Sequence, residues 1–304
     1  MKSKYLLFAF VAIAFYSCTK IDNQEKKTVS FTALSGVSDN TDTKTAIIYE
    51  DGQYKTKWVG GETVKVYKQD EMSAGSKTFT NQTIGESTSA VFTTDDFWEG
   101  GFESGVKYVI TYNCAKAISP YYYLTIPATQ YYDSDAEFHI QGNILPLYGG
   151  INIFGNTNKN TVRMYNASII LYLTLRNSLG TSESPVPVTI KYIELTSSVS
   201  GTRPGIAGEL QAFPAGGTMM GDTFSPGSTT ITLQIPEGKR PTLGYNDTAS
   251  FGFVIGNTEP KILTWTAYNE SNVQIGDAVS VNLTGKTLVR GNYYTISRSL
   301  TTAP

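Results

Sequence analysis

Short stretches with an apolar residue at every second position recur along this 304-residue chain, and Gly, Pro, Asn, Asp or Ser clusters separate them. Val29, Phe31 and Ala33 alternate, as do Val64 with Val66, and Val106, Tyr108, Ile110 and Tyr112. The pattern returns at Ile170-Tyr172-Thr174, Val188-Ile190-Tyr192, Ile231-Leu233-Ile235, Phe251-Phe253-Ile255, Leu263-Trp265-Ala267, Val279-Val281-Leu283 and Tyr294-Ile296-Arg298-Leu300. A period of two puts alternate side chains on opposite faces, one buried and one wet, as in sandwiches of antiparallel strands. No longer window carries a convincing helical period of 3.6. The fold class expected is all-β, and the Tyr, Thr, Gly and Asn content agrees.

The chain has 2 cysteines, Cys18 and Cys114. Lys2 and Lys4 precede an uncharged, mostly apolar run from Tyr5 to Phe15, and small Ser17 stands directly before Cys18. The run is too short to span a bilayer, which takes ~20 apolar residues, and has the form of a signal peptide. Phe15-Tyr16-Ser17-Cys18 resembles a bacterial lipobox, with Phe15 and Tyr16 as departures from the usual residues. It places signal cleavage between Ser17 and Cys18 and lipid on Cys18. An ordinary secretory signal with a coincidental cysteine is the alternative. One acyl chain binds membrane only marginally at ~0.8 kcal/mol per buried methylene, so a durable anchor needs two or three. Residues 19–27 are polar and form a tether; Thr19, not Asp, follows the cysteine, which points to the outer membrane. With Cys18 acylated, Cys114 has no partner, and stability must come from packing.

The balance of 24 basic against 26 acidic side chains leaves a net charge of −2, with no basic stripe to suit a nucleic acid. Gly155-Asn156-Thr157-Asn158-Lys159-Asn160 is a polar loop without an apolar anchor. Taken as a seam, it divides the chain into a signal peptide (1–17), a lipidated tether (18–27) and two β-domains (28–158 and 159–304).

A set of ordered motifs is similar to the fimbrillin-like family, the subunits and anchors of type V pili. Thr28-Val-Ser-Phe-Thr-Ala33, Lys44-Thr45 and Lys57-Trp58-Val-Gly-Gly-Glu62-Thr-Val-Lys-Val66-Tyr67 resemble its opening, with Glu62 where Asp is usual. Leu124-Thr-Ile-Pro127-Ala-Thr-Gln130 resembles its Pro-x-x-Gln strand, and Met164-Tyr-Asn-Ala167 the strand opening its second domain. Ile206-Ala-Gly208 and Arg290-Gly-Asn-Tyr-Tyr-Thr-Ile296 also fit. The resemblance implies two transthyretin-like antiparallel β-sandwich domains in tandem, on a surface lipoprotein held in the outer membrane through Cys18. It implies other pilus subunits as partners, joined by strand addition, and a host or bacterial surface ligand. In polymerising members a protease removes the lipidated segment with the first strand, and a neighbour's strand fills the slot. Val29, Phe31 and Ala33 would line that removable strand. Some members are cut after an arginine in the following loop. This chain has no arginine before Arg163, and the loop offers only Lys44 as a maturation site. Either another protease cuts there or the lipid is kept. The short run after Leu300 suits a tip or anchor better than a stalk subunit.

Catalytic, cofactor and metal sites find no support. His139 is the single histidine, which excludes a two-histidine metal site, and it reads as an exposed strand position. Gly285-Lys286-Thr287 reads as a turn, since Ser280 stands where a phosphate loop needs its first glycine. Asp95-Asp96-Phe97-Trp98-Glu99 reads as a solvated turn and Cys114 as a buried small hydrophobe. Tyr121-Tyr122-Tyr123 and Tyr131-Tyr132 read as cross-strand pairs. A surface glycan-binding lipoprotein, presenting Trp98 or those tyrosines, is the rival to an adhesive pilus subunit. A β-sandwich hydrolase comes third.

Overall fold

A computed structural model describes residues 28–301 apart from 36–45, 51–52, 59, 73–74, 86, 100, 119–120, 137–138, 141–143, 153–160, 199–204, 216–217 and 257–258. The signal peptide, Ser17, Cys18, the tether, Lys44 and the Gly155–Asn160 loop lie outside the described residues.

The first strands are β1 (Val29–Ser35), β2 (Ala46–Glu50), β3 (Gln53–Lys57), β4 (Thr63–Lys68), β5 (Ser76–Asn81), β6 (Ser89–Thr94) and β7 (Lys107–Tyr112). Next come β8 (Cys114–Ile118), β9 (Tyr121–Ile126), β10 (Thr129–Tyr131), β11 (Leu147–Asn152), β12 (Thr161–Asn166), β13 (Ile169–Asn177), β14 (Val188–Thr189) and β15 (Tyr192–Ser198). The last are β16 (Ala207–Ala215), β17 (Thr218–Ser228), β18 (Thr230–Gln234), β19 (Thr242–Leu243), β20 (Thr248–Ile255), β21 (Ile262–Tyr268), β22 (Val279–Asn282) and β23 (Tyr293–Leu300). The all-β expectation holds: every element among the described residues is a strand.

Where an N-terminal sandwich was expected, the strands close into a barrel in the order β1-β12-β11-β7-β4-β5-β6. Closure comes from β1, which is bonded along both edges, antiparallel to β6 and parallel to β12. Phe31, Trp58, Phe79 and Phe92 are buried and fill the barrel as a core rather than leaving a pore. A four-stranded sheet, β17-β16-β9-β8, lies against the outside of the barrel, where Tyr122 of β9 meets Tyr67 of β4 at 5.4 Å between ring centres. Asn113 alone joins β7 to β8. Its φ of 56° lies in the left-handed region, which Asn tolerates better than most residues, and turns the chain out of the barrel. Its side-chain amide donates to the Leu145 carbonyl at 3.1 Å and its own carbonyl accepts from the Thr125 amide at 2.8 Å, which fixes the corner.

A five-stranded sheet, β10-β18-β15-β21-β22, and a three-stranded sheet, β20-β13-β23, bury Ile193, Leu195, Leu233 and Trp265 with Leu171, Leu173, Phe251 and Phe253 in one continuous core. Strand pairing crosses the expected boundary at 158/159. β12, which follows it, completes the barrel, β9 pairs with β16, and β10 pairs in parallel with β18. The Met164-Tyr-Asn-Ala167 motif thus belongs to the barrel wall and its exit, not to the opening of a separate sheet.

β20 is an edge strand whose outward backbone groups at Val254 are met by a side chain. Buried Gln130 donates to the Val254 carbonyl at 2.7 Å and accepts from the Val254 amide at 2.9 Å. The carboxamide thus does the work of a neighbouring strand at one residue, which gives the Pro-x-x-Gln motif its physical reason. Gln130→Leu should leave two buried backbone groups unsatisfied and lower unfolding stability by about 2–4 kcal/mol, read from the denaturant midpoint. A loss within about 0.5 kcal/mol would show the bridge to be idle.

Candidate functional site

β1 carries the residues expected to form a removable strand. Phe31 and Ala33 are 2% and 1% exposed and Val29 is half-buried against the same core. Ser30 and Thr32 face the other way but are half-buried rather than free in water, because β1 is an inner strand of the ring. Its register on β6 runs from Val29 opposite Thr94 to Leu34 opposite Ser89, and on β12 from Thr32 opposite Thr161 to Ser35 opposite Met164. The Phe31 ring stacks on Phe92 at 5.5 Å and 10°, and meets Phe79 at 5.1 Å and Phe102 at 6.5 Å. Trp58 packs edge-on against Phe92 at 4.9 Å, so Phe31 sits in an aromatic socket made by four other strands or loops. At the strand's start the Thr28 hydroxyl donates to Asp95 at 2.7 Å. The two flanking strands were not legible as partners. Ala90 and Phe92 of β6 do alternate inward, and that short period-two signal is the one that could have found it.

The remaining sequence candidates fall elsewhere. Trp98 is half-buried at the end of the barrel, 4.9 Å from Phe97 and 6.0 Å from Tyr108, with the Lys68 and Lys77 ammonium groups over its ring at 5.4 and 6.0 Å. Lys68 is itself held by Glu103 at 2.6 Å, a hydrogen bond that raises its pKa against the opposing effect of desolvation. The Trp98 ring is thus engaged within the protein instead of presenting a clear stacking face. Among the triple tyrosines Tyr122 is fully buried, Tyr121 is exposed and Tyr123 lies under the Lys116 ammonium at 4.8 Å. Cys114 is buried as expected, and burial raises its pKa. Gly285 stands in a turn at φ 77°, also as expected.

His139 corrects the expectation of an exposed strand position. It is half-buried in a bend at φ 55°, its ring 4.8 Å from Tyr132 and 6.3 Å from Tyr172. The alternation around it is broken because the chain turns there: the His139 amide donates to the Ala136 carbonyl at 2.8 Å.

The class these elements define is an all-β chain whose first strand is hydrogen-bonded on both edges within a closed ring. No protein-family model and no curated protein matches the chain. Among solved structures it is similar to a candidate cell adhesion protein of Bacteroides ovatus, with a TM-score of 0.47 and 11% identity over 90% of this chain and 92% of that one. A second candidate cell adhesion protein, from Bacteroides uniformis, gives 0.43 and 13% over 90% and 93%. A fimbrial protein of Bacteroides ovatus gives 0.35 and 9%, over 91% of this chain and 50% of that one. At such scores and identities the likeness assigns neither partner nor ligand to this chain.

Proposed function

We propose that this chain is a cell-surface fimbrillin-like lipoprotein, an adhesive pilus subunit in a tip or anchor position, that joins its neighbours by exchange of the first strand. The supporting observation is the seat of β1. A strand bonded on both edges leaves two rows of unpaired N–H and C=O groups when it departs, on β6 and on β12, together with an empty aromatic socket. An incoming strand with apolar residues at alternate positions satisfies all three. In this reading the lipid on Cys18 holds the chain in the outer membrane, and the five- and three-stranded sheets are taken as the transthyretin-like sandwich that the resemblance implies. The reading includes no catalytic residue.

Deletion of residues 19–44 tests it. Backbone amides of β6 and β12 should lose protection from hydrogen exchange and regain it when a synthetic peptide of residues 28–34 is added. Equal protection with and without peptide would mean that β1 fills no slot, and strand exchange at this position would be abandoned.

A further inference from the structure

The solvent-facing side of the five-stranded sheet carries an aromatic row that the alternation in the sequence did not reveal. Tyr131 of β10 lies opposite Gln234 of β18, Gln234 opposite Tyr192 of β15, and Tyr192 opposite Tyr268 of β21. Four strands therefore place three tyrosines and one amide in a single line across the sheet. The neighbouring inward positions, Ile193, Leu233 and Ala267, are buried, so the row belongs to the outer face. The Tyr192 and Tyr268 rings are parallel within 13° and 4.5 Å apart, close to the ~4.8 Å between adjacent strands. They stand as one aromatic block. Tyr131, 48% exposed, lies two strands from Tyr192, roughly 10 Å away by the same spacing, with Gln234 as the floor between them. One step along the strands lie Thr232 and Glu194, and the Glu194 carboxylate accepts from the Tyr268 hydroxyl at 3.1 Å.

We propose that this face binds a neutral polysaccharide, with a sugar ring against the tyrosine walls and its hydroxyls on Gln234 and Glu194. The chemistry selects that occupant. The two rows themselves carry hydroxyls, an amide and one carboxylate, and the cations that flank them are engaged, Lys239 by Asp135, Arg240 by Glu270 and Lys191 by Asn272, so an anionic polymer would meet Glu194 before a free counter-charge. Tyrosine is also common at protein interfaces, so pairing of two copies through this face is carried as an outcome of the test. Sugars offer apolar C–H faces and many hydroxyls. Tyrosine takes the first, while an amide, which both donates and accepts, takes the second.

The test titrates the full chain in detergent with the hexasaccharides of β-linked glucose, mannose and xylose, and with a hexamer of galacturonic acid as the anionic arm. At least one neutral hexamer should bind saturably and the anionic one should not. Tyr192→Ala and Tyr131→Ala should each weaken binding about tenfold or more, whereas Tyr192→Phe, which keeps the stacking face, should stay within about threefold. Tyr131 is exposed enough that its replacement leaves the fold intact should Tyr192→Ala fail to fold. Failure of every neutral hexamer to bind, preference for the anionic hexamer, binding that survives both alanine variants, or pairing of two copies through this face would each overturn the proposal.

Discussion

Phe31→Asp should cost the barrel at least about 5 kcal/mol, enough to unfold it or to drive β1 out of the ring. Removing a well-packed Phe side chain costs about 3–5 kcal/mol through lost transfer energy and the cavity left behind. Phe31 is 2% exposed and rings from Phe79, Phe92 and Phe102 surround it, so collapse around the vacancy is limited. A carboxylate in its place would be desolvated among aromatic rings, which adds several kcal/mol unless the strand leaves. The sum approaches the whole stability of an ordinary domain, about 5–15 kcal/mol. Hydrogen exchange should show the greatest loss in β6 and β12, and a smaller one in β13, β20 and β23, which make no pairing with β1. Phe31→Leu keeps an apolar group in the socket and serves as the comparison. If the Asp variant unfolds at the same denaturant concentration as the parent chain, Phe31 is not the anchor of the strand.

Cys18→Ser should move the protein from the membrane fraction to the soluble one, or hold it as an uncut precursor. The expectation follows from the apolar run that ends beside Ser17 and from the polar residues that begin at Thr19. With ~0.8 kcal/mol per buried methylene, the acyl chains supply nearly all the membrane affinity, because the tether that follows is polar. Fractionation with metabolic labelling by radioactive palmitate reads both outcomes. A fully processed Cys18→Ser protein that partitions with the membrane as before would remove the lipid anchor from the account.

Alternation made the first strand readable: Val29, Phe31 and Ala33 point one way, and the socket they enter is where they end. It was less informative where both faces of a strand are covered. β7 is buried from Tyr108 through Tyr112 because its outward residues lie beside Tyr67, which β9 covers, so the expected wet face is missing. The ring closure depends on β12, and no local signal says that residues 161–166 return to pair with residues 32–35 in parallel. The polar loop before them read as a break between domains, yet sheet hydrogen bonding passes across it. Gln130 was visible as a motif residue, but its task is defined by Val254, 124 positions along the chain. The tyrosine row is likewise a product of register: Tyr131, Tyr192 and Tyr268 share no sequence neighbourhood and meet only because three strand pairings align them.

The placement of β1 also sets how the protein would respond to a pull. If the chain is tethered near its N-terminus and loaded at its far end, tension enters along the axis of β1. Ladder hydrogen bonds run across the strands, so the load acts on them sideways. The six registered pairs with β6 and the four with β12 would then share the strain together instead of parting one after another like a zipper. Shear of this kind raises the barrier to forced unfolding, whose rate governs mechanical lifetime. Loaded in this way, β1 would part from β6 and β12 at a higher force than a strand unzipped one pair at a time.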